Sequence, residues 1–256
     1  MTVFALLSVA LGASAFIIVM GVMDGYSVEF SRRSRDMLGD VVVNMPGYAI
    51  RMADLKTGRL AAQPGIEAAA ANIREFGLLK IPKTKAVAGK RFAVEWCHLI
   101  GIDPETQLRV VRPKLEPELK SADFPSDGDE PGTWVVLGID LMKSHNLTVG
   151  DEVWLVTSRQ TGLDRVRKKR KLTVIGSLSF GLFEYDREVA YISRQLAAEV
   201  RGAPCDSATE IRVRLKEGVD LDEGVRQTRI AIGQTDQIRG HYLIQTFSET
   251  SNLFRA

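Results

Sequence analysis

The residues able to do chemistry in this chain are few, and their spacing builds no reaction centre. There is no G-x-x-x-x-G-K-[ST] run to cradle phosphates, no G-x-S-x-G elbow for a nucleophilic serine and no H-E-x-x-H pair for zinc. His98, His145 and His241 lie too far apart for metal-ligand spacing and read as structural or exposed residues. Cys97 and Cys205 match no motif. They could pair outside the cytoplasm, although two unpaired thiols are the simpler reading. The sequence therefore assigns no catalytic residue, cofactor or metal, and an anchored hydrolase finds no nucleophile–base constellation in it.

Three denser clusters point to contact rather than catalysis. Arg165, Arg167, Lys168, Lys169, Arg170 and Lys171 could meet anionic headgroups or an acidic partner. A solvated hairpin end is the simpler reading, because charge runs are usually solvated faces. Asp127, Asp129 and Glu130 lack the calcium-loop pattern and read as solvated too. The segment Phe180-Gly-Leu-Phe-Glu-Tyr-Asp186 gathers Phe180, Leu182, Phe183 and Tyr185 between two strands. Such residues anchor a partner when exposed and pack beneath a sheet when buried. They are the candidate partner or cargo contact.

The elements that must hold these clusters begin with a membrane helix. All 34 Lys+Arg and all 32 Asp+Glu follow Met23. Val3 to Met23 is long enough for a bilayer core of about 30 Å, which takes roughly 20 apolar residues. Its hydroxyls can bond back to the helix backbone. Ser8 and Gly12, and Gly21 and Gly25, form small-xxx-small pairs that suit packing against other membrane helices. A cleaved signal peptide is the alternative, with Ala13-Ser14-Ala15 as its site. However, no basic residue precedes the apolar run, and the run continues past Ala15. Arg32, Arg33 and Arg35 would favour the cytoplasm, but long domains translocate largely regardless of charge, so composition leaves the side open.

Beyond the span the composition is that of an ordinary globular protein: 256 residues, 45% hydrophobic, net charge +2. That charge gives no reason to expect nucleic acid as a partner. Asp24 to Leu38 continues the helix into water as a stalk, with Tyr26, Phe30, Arg33 and Met37 on one face, and Gly39-Asp40 ends it. Strands are expected at Val41–Val43, within Ala86–Ile102, and at Trp134–Leu137, Glu152–Thr157, Lys171–Ser177, Glu188–Ser193, Glu210–Leu215 and Tyr242–Thr246. Gln160 to Lys169 is expected as a polar turn, and Glu210–Leu215 as a half-buried strand of period two. Helices are expected at Ala53–Gln63, Gly138–Leu147 and Arg194–Val200. Another is expected after Asp220, with Glu223 completing a capping box and Leu221, Val225, Thr228 and Ile232 buried. Glu105 to Gly132, with four prolines, reads as a long irregular connection. Ile66 to Phe76 reads as either helix or strand, because its alanine run favours one and its flanking turns allow the other.

In order along nearly the whole chain, these pieces resemble the permease subunit of ABC transporters of the lipoprotein-releasing and macrolide-exporter type. The matching residues are VMDGYSVEF after the span, the strand DVVV, GIDPE at Gly101–Glu105, Trp134–Thr157 and Val174–Ser193. The last of these is closest to the lipoprotein-releasing branch. SETSNLFRA is similar to the lead-in to a second membrane helix. The resemblance implies an α+β chain, with a transmembrane helix at 1–24 and a stalk helix at 25–38. A porter-like mixed α/β subdomain follows at 39–100 and 204–246, with an inserted strand-rich subdomain at 101–203 and the start of a return stalk at 247–256. It also implies a periplasmic domain anchored in the inner membrane, a strand at Ile66–Phe76, an ABC ATPase partner, and a second permease subunit forming a homo- or heterodimer. The cargo would be a lipoprotein, passed to a periplasmic carrier. The later membrane helices of that family are missing from this sequence, so it is expected to be either a piece of a permease or a reduced one. A membrane-anchored periplasmic binding module, a macrolide exporter and a regulator of cell-wall enzymes stand as alternatives.

Overall fold

The structure is a computed structural model and describes residues 2–45, 49–51, 53–87, 90–125, 133–161, 164–233 and 242–253. Helix α1 (Thr2–Leu38) is unbroken from the charge-free run through the stalk. Ser8 and Ser14 donate their hydroxyls to the carbonyls of Phe4 and Ala10 at 2.9 and 2.7 Å, so the apolar run carries no unsatisfied hydroxyl at these positions. Nothing lies within 4 Å of a Cβ built on Gly12, Gly21 or Gly25. Large side chains described in this half stand exposed, Phe4 at 80% and Ile17 at 69%.

Gly39 ends α1 with φ +81, in the left-handed region where a side chain is strained. A Cβ there would also meet the Val213 carbonyl oxygen at 2.8 Å. The turn delivers β1 (Val41–Asn44) between β11 (Glu210–Leu215) and β12 (Leu243–Thr246), antiparallel to both. β11 pairs in turn with the first part of β3 (Ile66–Val87), at Ile66–Asn72. On one face of this four-stranded sheet lie α2 (Ala53–Ala61) and α7 (Leu221–Ile232). They enclose a core that includes Val41, Val43, Ala69, Ala71, Ile211 and Val213. On the other face, α3 (Pro104–Val110) packs Val110 and Val111 against Ala68 and Ala70. The alanine run is therefore strand, as the resemblance implies. Its short side chains let packing partners approach closely on both faces.

From Ile73 onward β3 leaves this sheet and enters a ring. It pairs with β4 (Lys90–Ile102), β4 with β9 (Val189–Ser193), β9 with β6 (Trp134–Gly138), β6 with β8 (Asp164–Ser179), β8 with β7 (Glu152–Thr161), and β7 with β3 again. Closing the sheet on itself removes the edge strands. The interior is apolar: Leu79, Leu99, Val135, Val153, Leu172 and Ile192 meet Leu141 of α4 (Ile139–His145) and Leu196 of α6 (Arg194–Arg201). A short strand β5 (Lys114–Glu116) joins β8 at the margin. β2 (Ile50–Arg51) and β10 (Ser207–Ala208) form a separate pair. The resemblance implies a porter-like part ending at residue 100; strand pairing changes from sheet to ring between Asn72 and Ile73, within one strand.

Four expectations are corrected. Gln160–Lys169 is not a turn: β7 and β8 run in register to the pair Thr161↔Asp164, forming a long two-stranded arm. Polar composition misleads there because a paired ladder needs no apolar side chain to satisfy its backbone. β11 is not half-buried; all six residues are buried, because α1 and α3 cover the face that its polar residues occupy. Asp220 caps α7 through the Asp222 N–H, but Glu223 turns to Arg226 and Gln227 instead of closing a capping box. The inward face of α7 consists of Gly224, Gln227, Thr228, Ala231 and Ile232, with Leu221 and Val225 only packed at its margin. Asp127, Asp129, Glu130, His241 and the side chains of Arg165, Arg167 and Lys168 lie outside the described residues. Of the rest of the basic run, Arg170 pairs with Glu199 at 3.0 Å and Lys171 with Glu152 at 2.6 Å.

Candidate coupling site

The C-terminus of a helix leaves carbonyl groups without intrahelical partners and carries partial negative charge. At the end of α1 these carbonyls are met by buried arginines of β11. Arg212 donates to the Met37 carbonyl at 2.7 Å, and Arg214 to the Arg35 carbonyl at 3.2 Å and the Val110 carbonyl at 2.8 Å. The Arg112 N–H donates to the Asp36 carbonyl at 2.9 Å. Alternation along β11 explains the placement. Ile211, Val213 and Leu215 point into the core, so Glu210, Arg212 and Arg214 point at the helix.

Glu210 and Arg212 form a buried pair. Glu210 accepts from Arg212 at 2.6 and 2.7 Å, and Arg74 lies 3.5 Å from its other oxygen. Burial pushes the Glu210 carboxyl up, but Arg212 and Arg74 outweigh it and hold it below the usual glutamate range. Arg212 shows the mirror effect: burial works against its charge, yet Glu210 holds the guanidinium more firmly protonated than usual. Arg214 is shifted down by burial, which its distant acids offset only in part.

Asp40 is the second part of the joint. Its carboxylate accepts from Arg35 and, at 2.8 Å, from the Leu215 N–H. Its backbone N–H donates to the Val213 carbonyl at 2.8 Å, and its carbonyl accepts from the Phe247 N–H at 3.0 Å. Phe247 opens α8 (Phe247–Leu253), which packs against α1. One residue thus ties the incoming helix, the sheet and the outgoing helix together.

The aromatic segment chosen from sequence lies beside the same helix. It is not a loop throughout, because Phe183–Glu188 forms a short helix, α5. The buried Asp186 carboxylate folds back to accept from the Phe180 and Gly181 N–H groups at 2.9 and 3.0 Å and from the Ser179 hydroxyl at 2.7 Å. Gly181 has φ +72, and its carbonyl accepts from Arg33 of the stalk at 2.5 Å. The four candidate residues separate. Phe180 is buried, and Leu182 and Tyr185 are half-buried against the cluster of Met37, Leu38 and Tyr191. Phe183 is 64% exposed. Phe183, Leu182 and Tyr185 line a groove with Tyr26, Phe30, Ser34 and Met37 of α1. Sequence reading had no signal for the β11 charges, because a strand of alternating polarity normally turns its polar face to water.

No group of three or more His, Cys, Asp or Glu among the described residues is arranged to hold a metal. His98 lies 3.6 Å from Glu188, and His145 lies 3.1 Å from Glu95. Cys97 is buried, and burial pushes its thiol up to about 12; Cys205 is exposed, and both are free thiols.

The model of the MacB-like periplasmic core domain family matches residues 2–230. Among curated proteins, the lipoprotein-releasing system transmembrane protein LolC of Xylella fastidiosa strain Temecula1 is 24% identical over 252 residues, covering 97% of this chain. The LolC protein of a second Xylella fastidiosa strain is 24% identical over 253 residues, again covering 97% of this chain. The chain spans 56% of the length of both relatives. Among solved structures, the periplasmic region of MacB from Actinobacillus actinomycetemcomitans superposes with a TM-score of 0.53 at 17% identity, covering 85% of this chain and 93% of that one. The extracellular domain of the ABC-type transporter YknZ from Gram-positive bacteria also gives 0.53, at 12% identity, covering 80% and 98%. The likeness to these two structures is one of fold.

Proposed function

The chain belongs to the MacB-like periplasmic core domain family, and from that membership we propose that it acts as part of the permease subunit of an ABC transporter. In this reading residues 1–24 cross the inner membrane and the remainder stands in the periplasm. In the same reading nucleotide is bound by a partner ATPase, which closes a permease dimer, of two identical or two related subunits, on the cytoplasmic side, and α1 carries the movement outward. The energy enters through nucleotide binding one conformation better than the other. The pairs Ser8–Gly12 and Gly21–Gly25, open on the exposed helix, are the proposed seam for neighbouring membrane helices.

The observation that carries the reading is the joint. A lever transmits motion only if its end is fixed to the load. Here α1 runs without a break from the apolar segment to a terminus held by Arg212, Arg214 and Asp40. The 24% identity to the lipoprotein-releasing relatives supports a lipid-modified protein as cargo, handed to a periplasmic carrier, with Phe183 as the exposed contact. Burying an acyl chain is worth about 0.8 kcal/mol per CH₂, so lifting one from a bilayer needs a coupled motor.

The test is to purify the full-length gene product from membranes and ask whether an ATPase accompanies it. The Asp40→Asn and Arg214→Gln variants are then assayed for ATP hydrolysis and for cargo release. Hydrolysis that persists while release is lost is the expected result. Release at the unaltered rate with either joint residue replaced, or purification with no ATPase, would remove the proposal.

A further inference from the structure

The groove between α1 and α5 encloses about 620 Å³, within the usual size range of a ligand site. Its walls are mainly apolar, and its deep side holds a polar atom with no partner. Ser34 is 1% exposed, and its hydroxyl makes no hydrogen bond among the described residues. A buried hydroxyl left unbonded is unfavourable, and Ser34 lines the groove. At the lower mouth, Tyr26 lies about one turn beyond the charge-free run, and tyrosine suits a membrane–water boundary. Tyr26 and Phe30 stack with ring centres 6.1 Å apart, so aromatic surface climbs from that boundary toward Ser34. At the upper end stand Arg74 and His98, sharing the rim with Glu184 and Glu188. Arg74 belongs to the Met37 end, since it pairs with Glu210, whose partner Arg212 bonds the Met37 carbonyl.

This sequence of surfaces matches one kind of molecule: apolar below, a hydrogen-bonding position above it, and mixed charge at the top. We propose that the groove holds a zwitterionic glycerophospholipid raised partly out of the adjacent leaflet. Its ester carbonyl accepts from the Ser34 hydroxyl, which a small opening of the groove floor uncovers, one acyl tail descends over Phe30 and Tyr26, and Phe183 closes the side. The Ser34–Tyr26 separation along α1 is about 12 Å at the helical rise, which sets how far the lipid is lifted. The mixed rim favours a headgroup with both charges over a purely anionic one. The inference rests on the proposed membrane placement of α1, but it is independent of the cargo.

The full chain is reconstituted into vesicles of phosphatidylethanolamine and phosphatidylglycerol that contain phosphatidylcholine with a photoactivatable acyl tail. Labelled peptides are mapped after irradiation. Label is expected on the Leu182–Glu188 segment and on Tyr26–Phe30, severalfold above the peptide bearing Val149, an exposed residue in a distant turn. Phe183→Ser should lower the labelling at Tyr26–Phe30, and moving the photoactivatable tail to phosphatidylglycerol should lower it severalfold. The peptide around Phe16 reports the span itself. If it is labelled while Leu182–Glu188 stays at the Val149 level, the groove assignment fails alone; if it is unlabelled, the membrane placement fails with it. Labelling of the groove only when a lipid-modified protein is added would assign the site to cargo and overturn the proposal, as would equal labelling by the two headgroups.

Discussion

The ring and the open sheet share strand β3 but are held together by opposite means. The ring encloses an apolar interior in which Leu79, Leu99, Leu155 and Leu172 meet, and none of the buried charged side chains among the described residues lies in that cluster. The sheet buries Glu210, Arg212 and Asp40 within 1% exposure and Arg214 at 3%, where α1 ends. Apolar burial is non-directional and tolerates small shifts. Paired, desolvated charges do not, because a displaced partner leaves an ion uncompensated in low dielectric. The ring is thus built to keep its shape and the joint to keep its alignment. If the molecule transmits a helix movement, that is the useful division.

The most demanding test of the contrast removes one charge from the joint. Arg212→Met leaves Glu210 without its principal partner and the Met37 carbonyl without its donor. Breaking a buried pair in this way costs about 3–5 kcal/mol. The double variant Glu210→Gln with Arg212→Met should recover part of that loss, because no buried charge is then left unpaired. Leu155→Ala in the ring should cost about 2–5 kcal/mol, but no second substitution of matching charge can restore it. Urea unfolding of all three measures the difference. Equal losses for the single and double joint variants would mean that charge pairing does not hold the joint.

Acid should separate the two regions next. The Glu210 carboxyl sits below its ordinary value in the folded protein: burial acts against this, but Arg212 and Arg74 prevail. A depressed carboxylate contributes stability that is present above the unfolded value and is lost as the pH falls through the folded one. Stability should therefore drop as the pH passes below the ordinary glutamate range. The fall should be shallower in Glu210→Gln, which carries no such proton. Thermal unfolding across acidic pH compares the two proteins, and parallel curves would remove Glu210 from the account.

How much of this could be read beforehand depends on where each signal lay. The long apolar helix, its continuation as a stalk and most of the strands were legible because they rest on local pattern: a charge-free run, an uninterrupted helical period, and strands bounded by glycine and proline; the fold class came from the resemblance. The Ile66–Phe76 segment was not decided by its own residues, since alanine serves both structures, and only the resemblance favoured strand. The outer part of the β7–β8 arm was hidden because a ladder can be polar. The joint was hidden more deeply. Glu210, Arg212 and Arg214 look like the wet face of a strand until α1 and α3, from far away in the chain, are laid over them. Of the aromatic segment, the sequence identified the neighbourhood. Which side chains faced outward depended on the fold-back of Asp186 onto the Phe180 and Gly181 N–H groups.

A smaller effect probes how the helix is turned into the sheet. Gly39 combines φ +81 with a Cβ position 2.8 Å from a backbone oxygen. Gly39→Ala should cost at least about 1–2 kcal/mol from the left-handed conformation alone, visible as a lowered Tm. Gly25, inside α1 and with nothing within 4 Å, is the control. If Gly39→Ala is no more harmful than Gly25→Ala, the turn does not constrain the joint.

The smallest change in stability is expected at Phe183, and that is its diagnostic value. Its neighbours Phe180 and Tyr185 make a T-shaped contact at 5.6 Å and belong to the core beneath α1. Phe183 projects from the same short segment at 64% exposure. A surface substitution of this kind shifts stability by less than about 0.5 kcal/mol, so Phe183→Ser should unfold at the same urea concentration as the unaltered chain, whereas Phe180→Ala should lose a few kcal/mol, about 3–5 for a fully buried phenylalanine. If Phe183→Ser proves as costly as Phe180→Ala, Phe183 is a packing residue and the groove has no free wall. Should it prove neutral, its exposed ring contributes nothing to folding, and a large apolar side chain held in water beside the helix is left to serve whatever enters the groove.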